Sequence, residues 1–146
     1  MEIRRAIREE VAAVDDLLRE NDLPGLPPAL PLSNLLVAKA EGELVGAVAL
    51  EVAGRCGLLR CAVVAVSHRG NGIGGELVSS LVSRAHELGL RDLYLLTENA
   101  EAFFAAQDFV RIARDDLPPE IRATREFREL CPESAVAMRF PLATRF

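Results

Sequence analysis

Cysteine is scarce in this chain and never spaced as C-x-x-C: Cys56, Cys61 and Cys131 make an odd count, which argues for reduced thiols rather than a disulfide framework. The two histidines, His68 and His86, lie far apart, and neither an H-E-x-x-H motif nor a Cys/His cluster occurs, so the sequence calls for no metal. Lysine is almost missing, Lys39 standing alone among 17 cationic residues that face 22 Asp and Glu. The resulting charge of -5 and pI near 5.1 oppose non-specific binding of a polyphosphate, so no nucleic-acid partner is expected. Long apolar runs are lacking too: the longest, around Leu44 to Leu50, is far too short to span a bilayer, and Met1 to Ala6 carries no apolar targeting core. No membrane partner is expected, and the reading is cytoplasmic. What is present is 146 residues, 50% apolar and 27% charged, with mean hydropathy +0.17. A chain of this size buries roughly 68–70% of its unfolded surface and reads as one globular domain over 1–146.

Ile3, Ala6 and Ile7 suggest a short strand. Val11, Val14, Leu17 and Leu18 then recur at helical spacing with Glu9, Glu10, Asp15 and Asp16 opposite. Leu23 to Pro31 is Pro-rich and apolar, a loop that packs on something; a lid over a site (24–31) and a rigid surface connection both fit. Strands are predicted over Leu35–Ala40, Glu43–Val52 and Gly57–Val66, the last with Leu58, Arg60, Ala62, Val64 and Val66 on one face and Leu59, Cys61, Val63 and Ala65 on the other. A helix from Gly72 to Gly89, with Ile73, Leu77, Leu81, Ala85 and Leu88 in phase, precedes a buried strand Leu93–Thr97 and completes a β-α-β unit. A short helix Ala100–Gln107, a strand Phe109–Ala113, a helix Pro118–Leu130 and a final strand Ser134–Leu142 follow. This order defines an α/β (α+β layered) fold with a mixed central sheet and helices on both faces.

His68-Arg69-Gly70-Asn71-Gly72-Ile73-Gly74-Gly75 lies between a buried strand and an amphipathic helix. Unpaired N–H groups and a positive helix end make such a junction an anion site; glycines admit the anion to the backbone, and Arg69 adds a charge for a phosphate oxygen. Gly70, Gly72 and Gly75 also satisfy G-x-G-x-x-G, with Glu98 about 20 residues on, as a dinucleotide fingerprint asks. Against that rival, Ser67 to Arg69 intervene after the strand and three strands come first. No G-K-[ST] is present, so a Walker A loop is excluded.

Val64 to Gly74 resembles the acyl-CoA signature of the GNAT N-acetyltransferases, Arg/Gln-x-x-Gly-x-Gly/Ala after a strand, with Val66 where a proline is common. The resemblance implies a GNAT fold in which two parallel strands splay apart after the signature strand. It implies acetyl-CoA as cosubstrate, with Ala62, Val63 and Val64 bonding the pantetheine and Arg69, Gly70, Asn71, Gly72, Ile73, Gly74 and Gly75 cradling the pyrophosphate. Leu58 to Val64, Leu95 to Ala100 with Phe103-Phe104, and Leu130 to Met138 further resemble the small acetyltransferases of arsenic-resistance operons and the acetyltransferase module of N-acetylglutamate synthase. That narrower resemblance implies a small amine substrate, the α-amino group of a glutamate-like amino acid or a toxic analogue.

Moving an acetyl group from a thioester to an amine needs a proton acceptor, donors for the oxyanion and an acid for the thiolate. Glu51, a lone carboxylate after the apolar run, is the candidate base, against a solvent-facing residue or a partner of Arg55. Arg60, lying among apolar residues, is the candidate for a substrate carboxylate, against a structural ion pair with Glu51. Thr97 is a candidate substrate contact, against a local hydrogen bond at a strand end. The family's Tyr acid has Phe104 at its position here, and the single tyrosine, Tyr94, is on the preceding strand. Cys61 and Cys131 read as packed thiols. A non-catalytic acyl-CoA sensor, or an acetyltransferase for a peptide N-terminus or an antibiotic amine, stays open beside the amino-acid reading. The last strand is apolar enough to pair two copies into a homodimer.

Overall fold

The computed structural model describes residues 1–130 and 132–142; Cys131 lies outside the described residues. Among the described residues, seven strands form one sheet in the order β1-β2-β3-β4-β5-β7-β6. The chain divides into two compact units, Met1–Leu50 with Arg60–Arg84 and Glu51–Leu59 with Ala85–Phe146. Strands β3 (Glu43–Ala53) and β4 (Cys56–Val64) run through both.

In the first unit, β1 (Glu2–Arg5) pairs antiparallel with β2 (Leu35–Ala40), and β2 with β3. Helix α1 (Val11–Glu20) covers one face: its Val14, Leu17 and Leu18 pack with Leu35, Val37, Ala47 and Ala49. The opposite face carries the start of α2 (Ile73–Glu87). A Cβ added at Gly46 would stand 3.0 Å from Leu77 Cδ1 and 3.1 Å from the Val63 carbonyl oxygen, so glycine lets strand and helix approach. The Pro-rich segment is pinned to α1, with Leu26 and Leu30 against the same core and the Leu26 N–H donating to Asp15 Oδ1 at 2.8 Å.

Glu10 is not on an exposed helix face. It is 7% exposed, in the turn Arg8–Glu10, where Arg4 donates to both its oxygens (2.9 and 2.7 Å) and Lys39 to Oε2 (3.1 Å). The Ile7 N–H donates to Oε1 at 3.0 Å. The Arg4 hydrogen bonds, seconded by Ile7 and Lys39 and opposed by burial, pull its carboxyl down to about 2. The expected first strand also stops earlier, at Arg5, and Ile7 is half exposed.

In the second unit, β5 (Asp92–Thr97) runs parallel to β4 through three pairs, Cys56↔Asp92 to Leu58↔Tyr94. The last strand, β7 (Val136–Pro141), lies between β5 and β6 (Val110–Ile112), antiparallel to both. Its central residues, Ala137 to Arg139, therefore have both edges taken. Cys56, Leu58, Tyr94, Leu117, Ile121 and Ala137 form one core; Phe103, Phe104, Phe109 and Phe140 form a chain of ring contacts along α3 (Glu101–Ala106), β6 and β7. The helix expected over Pro118–Leu130 is instead α4 (Pro119–Arg122) and a separate wide turn Glu126–Leu130. The break falls at Thr124, whose hydroxyl donates to the Ile121 carbonyl (2.7 Å) and accepts from the Phe127 N–H (3.3 Å), competing with the helical ladder.

Strict alternation along β4 also fails. Cys61 has φ 57°, a left-handed conformation inside a strand. In the first unit Cys61, Val63 and Ala65 pack with Ala47 and Ala49. The pleat is interrupted at Cys61, so Arg60 and Ala62 do not share a face by simple alternation. β4 ends at Val64, and Val66, in the turn Val66–His68, is exposed.

Candidate functional site

The glycine loop leaves β4 through the turn Val66–His68 and enters α2 at Ile73. Gly70 and Gly72 adopt φ +83° and +80°, and a Cβ at either would meet nothing within 4 Å. The glycines are therefore required by backbone conformation, while the space beside them is open. The first-turn N–H groups of α2, beginning at Ile73, have no intrahelical acceptor by helix geometry and carry the positive end of a 15-residue helix. Ile73 is buried and anchors the loop's far end, where the Glu76 N–H donates to the Gly72 carbonyl at 3.1 Å. A cradle of this kind fits a phosphate group approaching the backbone.

Arg69, expected to meet a phosphate oxygen, has its guanidinium engaged within the chain. Nε donates to the Val64 carbonyl at 2.9 Å and Nη2 to Asn21 Oδ1 at 2.6 Å. Ala62, Val63 and Val64 form the last turn of pleat before the loop, and the Ala65 N–H donates to the Val45 carbonyl at 2.8 Å, tying this end to β3. Within the second unit, β4 and β5 form the parallel pair that the fold expectation named, from Cys56↔Asp92 to Leu58↔Tyr94.

Arg60 is 5% exposed on a strand of apolar residues and its side chain is engaged, so the expected buried guanidinium is present. Glu51 is half-buried on β3 and also engaged. Thr97 is buried, and its hydroxyl accepts the Ala100 N–H at 3.0 Å, the local bond of a strand end. Tyr94 is a core residue whose phenol is pushed up, by burial first and then by Asp92; burial also pushes the Cys56 thiol up. Phe104 is buried between Phe103 and Phe109.

Sequence reasoning missed Asn21, which reaches Arg69 across 48 positions. It also missed a cavity of about 530 Å³ beside β6 and the start of β7, walled by Arg111, Arg114, Glu133 and Ser134. Both cations there are held by the chain: Arg111 by Glu101 at 3.5 Å, Arg114 by the Ala135 carbonyl at 3.0 Å and the face of Phe127. No group of three or more potential metal ligands occurs among the described residues, and none of their helices is long and apolar enough to cross a membrane.

Residues 8–110 match the model of the acetyltransferase (GNAT) family, to which the chain therefore belongs. It is similar to the amino-acid acetyltransferase of Ralstonia nicotianae, 32% identical over 93 residues, covering 62% of this chain and 21% of that protein. It is likewise similar to the amino-acid acetyltransferase of Neisseria meningitidis, 26% identical over 110 residues, covering 74% and 25%. The chain thus spans about a fifth to a quarter of the length of these curated relatives. In fold it is similar to N-acetylglutamate synthase from Neisseria gonorrhoeae, solved with coenzyme A and N-acetyl-glutamate (TM-score 0.85, 22% identity, 98% of this chain and 35% of that one). A Mycobacterium tuberculosis protein solved in complex with CoA has the same fold at full length (TM-score 0.79, 24% identity, 98% and 100% covered).

Proposed function

We propose that this chain is an acetyl-CoA-dependent N-acetyltransferase that acts, as one domain over 1–146, on the α-amine of a small acidic, glutamate-like amino acid. The observation that carries the reading is the open glycine cradle at the start of α2, led by β4, in a chain of the GNAT family. Main-chain N–H groups from Gly70 to Gly75 would hold the pyrophosphate, and the backbone of Ala62 to Val64 the pantetheine and the carbonyl oxygen of the acetyl group. Arg60 is the cation assigned to the acceptor's carboxylate and Glu51 the carboxylate assigned to the amine proton. The names of the relatives support an amino-acid acceptor, and the N-acetyl-glutamate in one fold neighbour supports an acidic one. Thr97 is assigned to holding the turn after β5, since its hydroxyl is engaged there. The proposed compartment is the cytoplasm.

A second reading, an acyl-CoA-binding sensor without catalysis, is favoured by one observation: Phe104 and Tyr94 are both packed in cores, so no tyrosine is available as the acid for the thiolate. Calorimetric titration with acetyl-CoA and separately with NADH tests the cradle; acetyl-CoA alone should bind. Thiol release is then followed with glutamate, aspartate and their phosphorus- or arsenic-containing analogues, beside peptide amines and aminoglycosides. Glu51→Gln should lower kcat and Arg60→Ala should raise KM for acidic acceptors. Binding without turnover on any acceptor leaves the sensor; binding of NADH alone overturns both readings.

A further inference from the structure

The glycine loop has little of its own to hold it. Gly70 and Gly72 sit in left-handed conformations with no atom within 4 Å of where a side chain would begin. Its order comes from its ends. The far end is fixed by the first turn of α2. At the near end the Arg69 side chain makes two bonds that a phosphate-binding arginine would not need: one to the carbonyl of Val64, the last residue of β4, and one to the amide oxygen of Asn21. Asn21 is the residue that closes α1, and its amide is oriented from the other side, Nδ2 donating to the Leu17 carbonyl at 2.8 Å. With the nitrogen fixed on a carbonyl, the oxygen is the atom left for the guanidinium. The backbone behind it is held as well: Asp22 takes φ 60°, the Leu23 N–H donates to the Leu18 carbonyl at 2.9 Å, and Asp15 accepts the Leu26 N–H.

Resting on the acyl-CoA reading above, we propose that Arg69 and Asn21 are a positioning pair. Arg69 fastens the start of the cradle to the C-terminus of α1, and the pair sets affinity for acetyl-CoA by ordering the loop before the ligand arrives. A glycine-rich loop that must be ordered on binding loses affinity by the entropy of that ordering, and a tether at its entrance removes part of that loss. The bond is between a cation and a neutral amide, so its effect persists in high salt, whereas an Arg69 contact to phosphate would be screened.

The test uses the whole chain, with calorimetry for acetyl-CoA and steady-state kinetics. Asn21→Ala and Arg69→Ala should each weaken acetyl-CoA binding about five- to tenfold, raising its KM with kcat at saturation little changed. The double variant should be no worse than Arg69→Ala. Asn21→Asp separates the tether from the helix cap: a carboxylate cannot donate to the Leu17 carbonyl but still accepts from Arg69, so its affinity should stay within twofold of wild type. Equal loss in Asn21→Asp and Asn21→Ala would mean the cap alone matters, and multiplying losses in the double variant would mean Arg69 acts on the ligand independently; either overturns the pair. Wild-type affinity in Asn21→Ala overturns it while leaving the acyl-CoA reading intact. A wild-type chain that does not bind acetyl-CoA overturns both.

Discussion

Cys56 to Leu58 and Ala62 to Val64 belong to one strand but live differently. The first stretch is in ladder with β5, and Leu58 is fully buried in a core with Tyr94, Leu117, Ile121 and Ala137. Past Cys61 the strand ends at Val64 and leads into a loop with open space around its glycines. The left-handed Cys61 separates the two. A strand can carry the fold at one end and a ligand at the other if its pleat is interrupted between them, because the interruption frees the second stretch from the register of the first.

Removing packing from the first stretch should give the largest effect. Leu58→Ala should cost about 3 kcal/mol of stability, read by urea unfolding, with the acetyl-CoA affinity of the folded protein, measured without urea, unchanged. Glu10→Gln removes a charge-assisted network and should cost about 2 kcal/mol. In the wild type the Glu10 carboxyl is held below its ordinary value of 4.5, so its contribution is full above that pH and is lost as pH falls towards about 2. Thermal melts across that window should show the loss, and Glu10→Gln should flatten it. Gly72→Val places a branched residue at φ +80° with room for the side chain. It should weaken acetyl-CoA about tenfold, or about 1.4 kcal/mol, by calorimetry, and cost about 1–2 kcal/mol of stability by thermal melting. Cys61→Val should cost about 1 kcal/mol because of its φ of 57°, and Cys61→Gly less. Finally, the buried Cys56, its thiol pushed up, should alkylate more slowly than the half-buried Cys61 in the native protein, as resolved by peptide mass spectrometry. Equal rates would erase the contrast between the two ends.

Elements whose signals are local are legible in the sequence. The glycine loop announces itself by composition and by its place between an apolar run and a 3.6-residue period, and the β-α-β unit follows. The burial of Arg60 was legible because a lone cation sat in an apolar strand. What escaped depends on partners distant in sequence. Glu10 looked solvent-facing because its partners, Arg4 and Lys39, come from two strands. Cys61 bears no mark of a left-handed residue, since glycine or asparagine would ordinarily signal one. The Thr124 break rests on a hydroxyl competing with the helix, and Asn21 meets Arg69 only after 47 intervening residues have folded.

The placement of β7 between β5 and β6 bears on how the chain is made. β6 is three residues long, and its ladder partner is β7, the strand that comes last. As the chain leaves the ribosome, the edge of β5 and the whole of β6 lack their ladder partner until the residues up to Pro141 have emerged. The second unit therefore closes late and by long-range pairing, the slow kind. A stalled or shortened product ending before Val136 would present the β5 edge to the cell as an open strand.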